Sequence, residues 1–181
     1  MSLQPNAQQL EQEASAAYQQ EQYNLAAQKF EALIREYTLA GDALMAAEMS
    51  NNRSVALLKA GDARAAYEAA RDTDQVFAQA GDLRRQAIAL GNQASALEVL
   101  KKFSQAAELY RQSSDLLKQI GESDMRALVL KSLSYLQFQH SSKIDAMGTM
   151  SAALAAQTRL SLRDRILKGL LNTVFRLLSG R

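Results

Sequence analysis

The sequence predicts an all-helical protein made of four consecutive helical hairpins and a terminal helix, and three observations predict it. First, Gly41, Gly81 and Gly121 stand forty residues apart in a chain of 181 that holds only eight glycines. Two of them share the tripeptide Ala-Gly-Asp (40–42 and 80–82), and the third lies in Ile-Gly-Glu (120–122). A fixed period of this size marks a chain in which one supersecondary unit recurs and stacks on its neighbours. Second, the single proline is Pro5, and the apolar residues, 48% of the chain, are rich in Ala and Leu. Summed helix propensity is therefore high, and scarce β-branched residues argue against a sheet. Third, apolar residues recur at helical spacing on both sides of a short polar break within each period.

The elements follow in order. Leu10, Ala14, Ala17 and Tyr18 share one face of a first helix, which ends at the polar break Gln20-Glu21-Gln22. A second helix starts at Tyr23, carries Ala26, Ala27, Phe30, Leu33, Ile34 and Tyr37 on one face, and stops at Gly41. Glycine suits the left-handed conformation that closes a helix, and Asp42 can cap the next. The same reading predicts helices over 43–60, 63–80, 83–101, 103–120, 123–140 and 143–158. Turns of two to four residues make each pair antiparallel. The repeats span about 3–41, 42–81, 82–121 and 122–160, forming one repeat domain over 1–160, with a terminal helix over 161–181.

Alignment on the glycines brings further positions into register. Tyr23, Ala63, Phe103 and, with one residue inserted, Ile144 open the second helix of each unit. Ala26, Ala66, Ala106 and Met147 come next, then Phe30, Ala70, Tyr110 and Ser151. Small residues let two helices approach closely, and a neighbouring aromatic fills the space between pairs. This pattern resembles the tetratricopeptide repeat, a helix–turn–helix unit whose second helix has an alanine followed four residues later by a large aromatic. Ala26/Phe30 and Ala106/Tyr110 match it directly, Ala66/Ala70 matches half, and Met147/Ser151 matches poorly. The forty-residue length resembles the longer variety of kinesin light chains and bacterial regulators. The resemblance covers roughly 7–158 and implies a right-handed α-solenoid that binds other proteins.

The resemblance also implies where a partner binds. In that family the first helix of each pair lines the concave face, and an asparagine there holds an extended peptide. Asn52 and Asn92, forty apart, take that position; Gln12 and Ser132 take it in the outer units. A carboxamide suits the task because it donates and accepts at once. Glu48, Asn51 and Val55, then Ile88, Gly91 and Ser95, are expected in the same groove, with Lys59 and Lys131 as positive rims. The alternative is that Asn52 and Asn92 bond between adjacent helices. A clamp for a C-terminal carboxylate is not expected, because Asn51 and Gly91 stand where it needs lysine.

The C-terminal segment breaks both period and charge balance. From Gln157 onward six basic residues face one acid, a net of +5, which leaves −3 for the rest of a chain whose net charge is +2. Ile166, Leu167, Leu170, Leu171, Val174, Phe175, Leu177 and Leu178 cover half of a helical wheel, with Lys168, Asn172, Thr173 and Arg176 opposite. Ser161 can cap this helix. Three uses stay open: a cap that shields the last hairpin from water, a self-association interface through Ile166, Leu170, Leu171, Val174, Phe175 and Leu178, or peripheral docking on an anionic membrane.

Catalytic chemistry is not expected. The chain has no cysteine and one histidine, His140, at the end of the helix over 123–140. No convergent metal-ligand spacing and no phosphate-cradling glycine loop occurs. Asp72 and Asp74, two apart, do not share a helix face. The doublets Arg84-Arg85 and Lys101-Lys102 are too short and too balanced for a nucleic-acid footprint. Met45, Met49, Met125, Met147 and Met150 fit as adaptable core fillers. With neither an apolar leader nor a spanning segment, the expectation is a cytoplasmic protein without cofactor, acting as a noncatalytic interaction scaffold or adaptor. A regulatory sensor for a peptide or small effector, and a structural homo-oligomer, are the alternatives.

Overall fold

The computed structural model describes residues 5–178, with side chains from 7 to 177. Ten helices and no strand occur among the described residues: α1 Pro5–Gln19, α2 Tyr23–Leu39, α3 Ala43–Lys59, α4 Ala63–Ala70, α5 Thr73–Gln79, α6 Leu83–Val99, α7 Phe103–Gln119, α8 Ser123–His140, α9 Lys143–Ala156 and α10 Leu162–Leu178. The chain divides into two compact units, 1–106 and 107–181, with the boundary inside α7.

A chain reversal recurs every twenty residues, twice as often as the glycine period shows. Gly41, Gly61, Gly81 and Gly121 have φ of 73°, 91°, 71° and 75°, while Glu21 and Lys101 adopt the same left-handed conformation at 59° and 60°. At Gly41 the amide of Asp42 donates to Tyr37 O and that of Gly41 to Thr38 O. These two bonds satisfy carbonyls that the end of α2 would leave unpaired. Gly61, Gly81, Lys101, Gly121 and Glu21 repeat the same pair of bonds. Asp42, Asp62 and Asp82 then accept from the amides of Met45, Ala65 and Arg85 at 3.0, 2.9 and 2.9 Å, capping α3, α4 and α6. One tripeptide thus ends one helix and starts the next.

In the first unit α1 pairs with α2, α3 with α4, and α3 also meets α5 and α6. Ala14, Ala17, Ala26, Leu33, Tyr37, Met49 and Ala56 form a buried cluster there with Phe30. A second cluster joins Ala47, Phe77 and Ala89. Ala26, Ala66 and Ala106, the predicted close-packing sites, are fully buried, and so is Tyr110 at the aromatic site. In the fourth repeat Met147 and Ser151 are only half-buried, as their poor match to the pattern leads one to expect.

One predicted helix is broken. The span 63–80 is interrupted at Arg71-Asp72, where Asp72 has φ 64°. The Thr73 hydroxyl donates to Ala70 O at 2.6 Å and accepts from Asn51 Nδ2 at 3.1 Å. A threonine hydroxyl that bonds the preceding turn competes with the helical ladder, and aspartate tolerates the left-handed region better than most residues. Asp72 is exposed, whereas Asp74 is half-buried and accepts from Gln93 at 2.7 Å.

In the second unit α8 pairs with α9, and α10 packs on α9. Ser161 Oγ accepts from the Asp164 amide at 3.1 Å, so the predicted cap of α10 is present. Of its apolar residues Leu171 is buried, Leu167 and Phe175 are half-buried, and Ile166, Leu170 and Val174 are exposed. The Leu178 side chain and Gly180 lie outside the described residues.

Candidate groove between α1 and α3

The hairpin stacking of the first unit brings Ser15, Tyr18 and Gln19 of α1 opposite Asn52 and Val55 of α3, with Phe30 of α2 forming the floor. Together they line a groove of about 320 Å³. Residues three and four apart share a helix face, which is why α1 supplies 15, 18 and 19 and α3 supplies 52 and 55. The Tyr18 ring stands edge-on to Tyr23, with centroids 5.4 Å apart at 65°. That contact fixes the wall of the groove, since edge-to-face aromatic pairs favour one geometry. Asn52 is half-buried, and its side chain enters no hydrogen bond among the described residues. No charged residue lines the groove.

The other predicted positions have different surroundings. Asn51 is 5% exposed. Its amide donates to Thr73 Oγ1 and, at 3.3 Å, to Ala47 O, while its oxygen accepts from Asn92 Nδ2 at 3.3 Å. Asn92 therefore has an interhelical partner, the alternative that its spacing left open. Glu48 accepts from Arg85 at 2.9 Å, and Arg85 also holds Asp82 at 2.6 Å and lies 5.4 Å from the Phe77 ring. Backbone and side-chain donation from Arg85 keep the Asp82 carboxyl below the usual aspartate range, and the two acids hold the Arg85 guanidinium above its own. Ser95 donates to Gly91 O within α6, and Ile88 is half-buried on the same helix. Gln12 is exposed, Ser132 is half-buried, and Lys131 binds Asp164 at 3.4 Å. Val55 and Asn52 are the predicted positions that line the groove.

Sequence reasoning placed Tyr18 and Phe30 on packing faces and did not assign Ser15 or Gln19. The available signal was the step of three and four from Ser15 to Tyr18 and Gln19. It places the contacts of the first repeat one turn later than Gln12.

Other grooves occur in the first unit. One of about 400 Å³ lies between α2 and α3, where Glu31 pairs with Arg53 at 2.8 Å and with Arg35 at 3.5 Å. Both arginines share this one acid, and Arg53 Nε is buried without a hydrogen-bond partner among the described residues. Another, of about 390 Å³, follows the helix break, where Arg71, Asp72 and Thr73 join Thr38, Ser50 and apolar residues including Ile34 and Val76. Among the described residues no group of three or more His, Cys, Asp or Glu side chains could hold a metal ion. No described helix is long and apolar enough to cross a membrane.

No family model and no curated protein matches the sequence. Among solved structures, the chain is similar to BtubC (BKLC) from P. vanneervenii, with a TM-score of 0.67 at 20% identity over 93% of this chain and 81% of that one. It is similar also to the nearly identical TPR-like repeats of a kinesin light chain-type protein from Podosopora anserina, with a TM-score of 0.56 at 11% identity over 98% and 99% of the two chains. A single-residue variant of those repeats gives 0.55 at 11% identity over 99% and 100%. At these identities the likeness is one of fold, and the fold is that of TPR-like helical repeats, all-α and built from tandem hairpins.

Proposed function

We propose that this chain is a noncatalytic interaction scaffold that holds an extended segment of another protein in the groove between α1 and α3. The observation that carries this reading is the uncommitted Asn52 amide beside an apolar wall of Tyr18, Phe30 and Val55. A carboxamide can satisfy a peptide N–H and a peptide C=O together, which fixes the register of a bound strand. The aromatic and aliphatic wall then takes one or two apolar side chains of that segment. Because the lining is neutral, affinity rests on backbone pairing and apolar burial, and salt weakens it little.

Panning the full chain against a library of extended peptides, followed by chemical-shift mapping of the selected peptide, tests this reading. Shifts are expected at Ser15, Tyr18, Gln19, Phe30, Asn52 and Val55. Asn52→Ala should weaken the peptide about tenfold, as expected for one lost side-chain pair. Its effect on folding stability should stay within about 0.5 kcal/mol, because nothing else in the fold uses this amide. A peptide that maps to another face, or that binds the variant unchanged, refutes the proposal.

A further inference from the structure

Helix α10 offers solvent a face that a stack-ending helix does not need. A helix that only covers the last hairpin buries one apolar stripe and gives water a polar one. The buried side of α10 carries Leu171 and Asp164, whose carboxylate accepts from Lys131 of α8 at 3.4 Å. The other side is apolar again. Leu162, Ile166, Leu170 and Leu177 are 74%, 57%, 61% and 78% exposed, and Val174 is 37% exposed. At about 100° per residue these five fall in an arc of roughly 120°, one stripe along the whole helix. Arg163 and Thr173 stand within that arc, and Arg176 and Arg165 lie about 40° and 60° beyond its edge. The three arginines are exposed and none is in an ion pair among the described residues. The one acid of the helix is turned away toward Lys131. The outward face thus combines five apolar side chains with uncompensated positive charge.

We propose that this face docks on an anionic phospholipid surface, with α10 lying in the plane of the interface. Charge complementarity selects this occupant. Pairing with a second copy through this face, parallel or antiparallel, would bring arginines among 163, 165 and 176 near one another, and like charges at close range oppose association. A bilayer of acidic lipids presents the opposite sign, and its acyl boundary accepts the stripe. Arg163 can extend its aliphatic stem along that boundary and keep its guanidinium at the headgroups. The 17 residues of α10 suit a helix lying on the membrane, and no described helix is suited to crossing it.

Sedimentation of the full chain with vesicles tests this, using phosphatidylcholine alone and phosphatidylcholine mixed with phosphatidylglycerol. Binding to the acidic vesicles should exceed binding to the neutral ones by about tenfold or more. Changing Arg163, Arg165 and Arg176 together to Gln should reduce it on the order of a hundredfold, at about a fivefold loss per cation. The double variant Ile166→Asp, Leu170→Asp should abolish it while helical content stays unchanged, since both side chains are exposed. Equal binding to the two vesicle types, or binding that survives in either variant, overturns the proposal. So does a doubled solution mass by light scattering that Ile166→Asp restores to one chain, which would assign the stripe to a second copy.

Discussion

Asn52 and Asn92 occupy equivalent places on equivalent helices, forty residues apart, yet their amides do different work. Asn92 donates to Asn51, whose own amide reaches Thr73 at the break between α4 and α5. One repeat earlier, the residue equivalent to Asn51 is Glu11, and its carboxylate already accepts the Tyr37 hydroxyl. Burial, and then that contact, push the Tyr37 phenol well above its ordinary range. Asn52 consequently lacks the neighbour that Asn92 has and stands open to the groove. The repeat fixes where a side chain is placed, and the residues around it decide whether it is free to bind.

The strongest way to break this contrast is to remove Asn51. Asn51→Ala leaves the Thr73 hydroxyl and the Asn92 amide without their buried partner. We expect a loss of about 2 kcal/mol, seen as a lower urea midpoint with an unchanged slope. Asn92→Ala in the same background should then cost less than it does alone, because the two act through one bond. Additive losses would show that the Asn51–Asn92 bond contributes nothing.

Charge sharpens the contrast next. Glu48 stands one turn before Asn52 and is bound to Arg85, which Asp82 also holds. The Asp82 carboxyl titrates below its unfolded value, so the native state binds fewer protons than the unfolded chain. Its contribution is fully present above the ordinary aspartate range and is lost as pH falls below about 4. Asp82→Asn keeps a capping oxygen and removes the charge. It should be less stable than the parent by about 1 kcal/mol at neutral pH, with the difference vanishing in acid. A gap that persists at low pH would assign the loss to the cap alone.

The smallest expected effect concerns the turns. Lys101 and Glu21 adopt the left-handed conformation that glycine supplies at Gly41, Gly61, Gly81 and Gly121. Lys101→Gly should raise stability by about 0.5 kcal/mol, relief of backbone strain being partly offset by the freer unfolded chain. Gly41→Ala should lower it by about 1 kcal/mol on backbone grounds, as no heavy atom lies within 4 Å of the added carbon. Thermal midpoints moving in the same direction for both variants would contradict this account.

Most of the fold was legible because its determinants are local. Ala-Gly-Asp encodes a helix stop and a helix start within three residues, and the helices between such turns follow from apolar spacing. The turns at Glu21 and Lys101 were legible from the polar breaks between apolar runs, although the glycine that closes the other turns is missing there. The break at Asp72 was not legible, because its cause is the Thr73 hydroxyl held by Asn51, 22 residues away. The commitment of Asn92 was hidden for the same reason, its partner lying 41 residues earlier. In α10 the helical wheel put Ile166, Leu170, Leu171 and Leu177 on one side, and only packing shows that Leu171 faces inward while Ile166, Leu170 and Leu177, together with Leu162, face out. Contacts between neighbours in sequence can be read from spacing, and contacts between distant segments cannot.

The chain reversals at 21, 41, 61, 81, 101 and 121 make the first two-thirds of this protein an interchangeable set of parts. A cut made at any of these reversals meets the same left-handed residue conformation and the same pair of closing backbone bonds. A block such as 42–81 can therefore be duplicated, deleted or traded for another without designing a new loop. The chain can lengthen or shorten its row of contact helices by whole steps, while every splice point is closed by the residues already there.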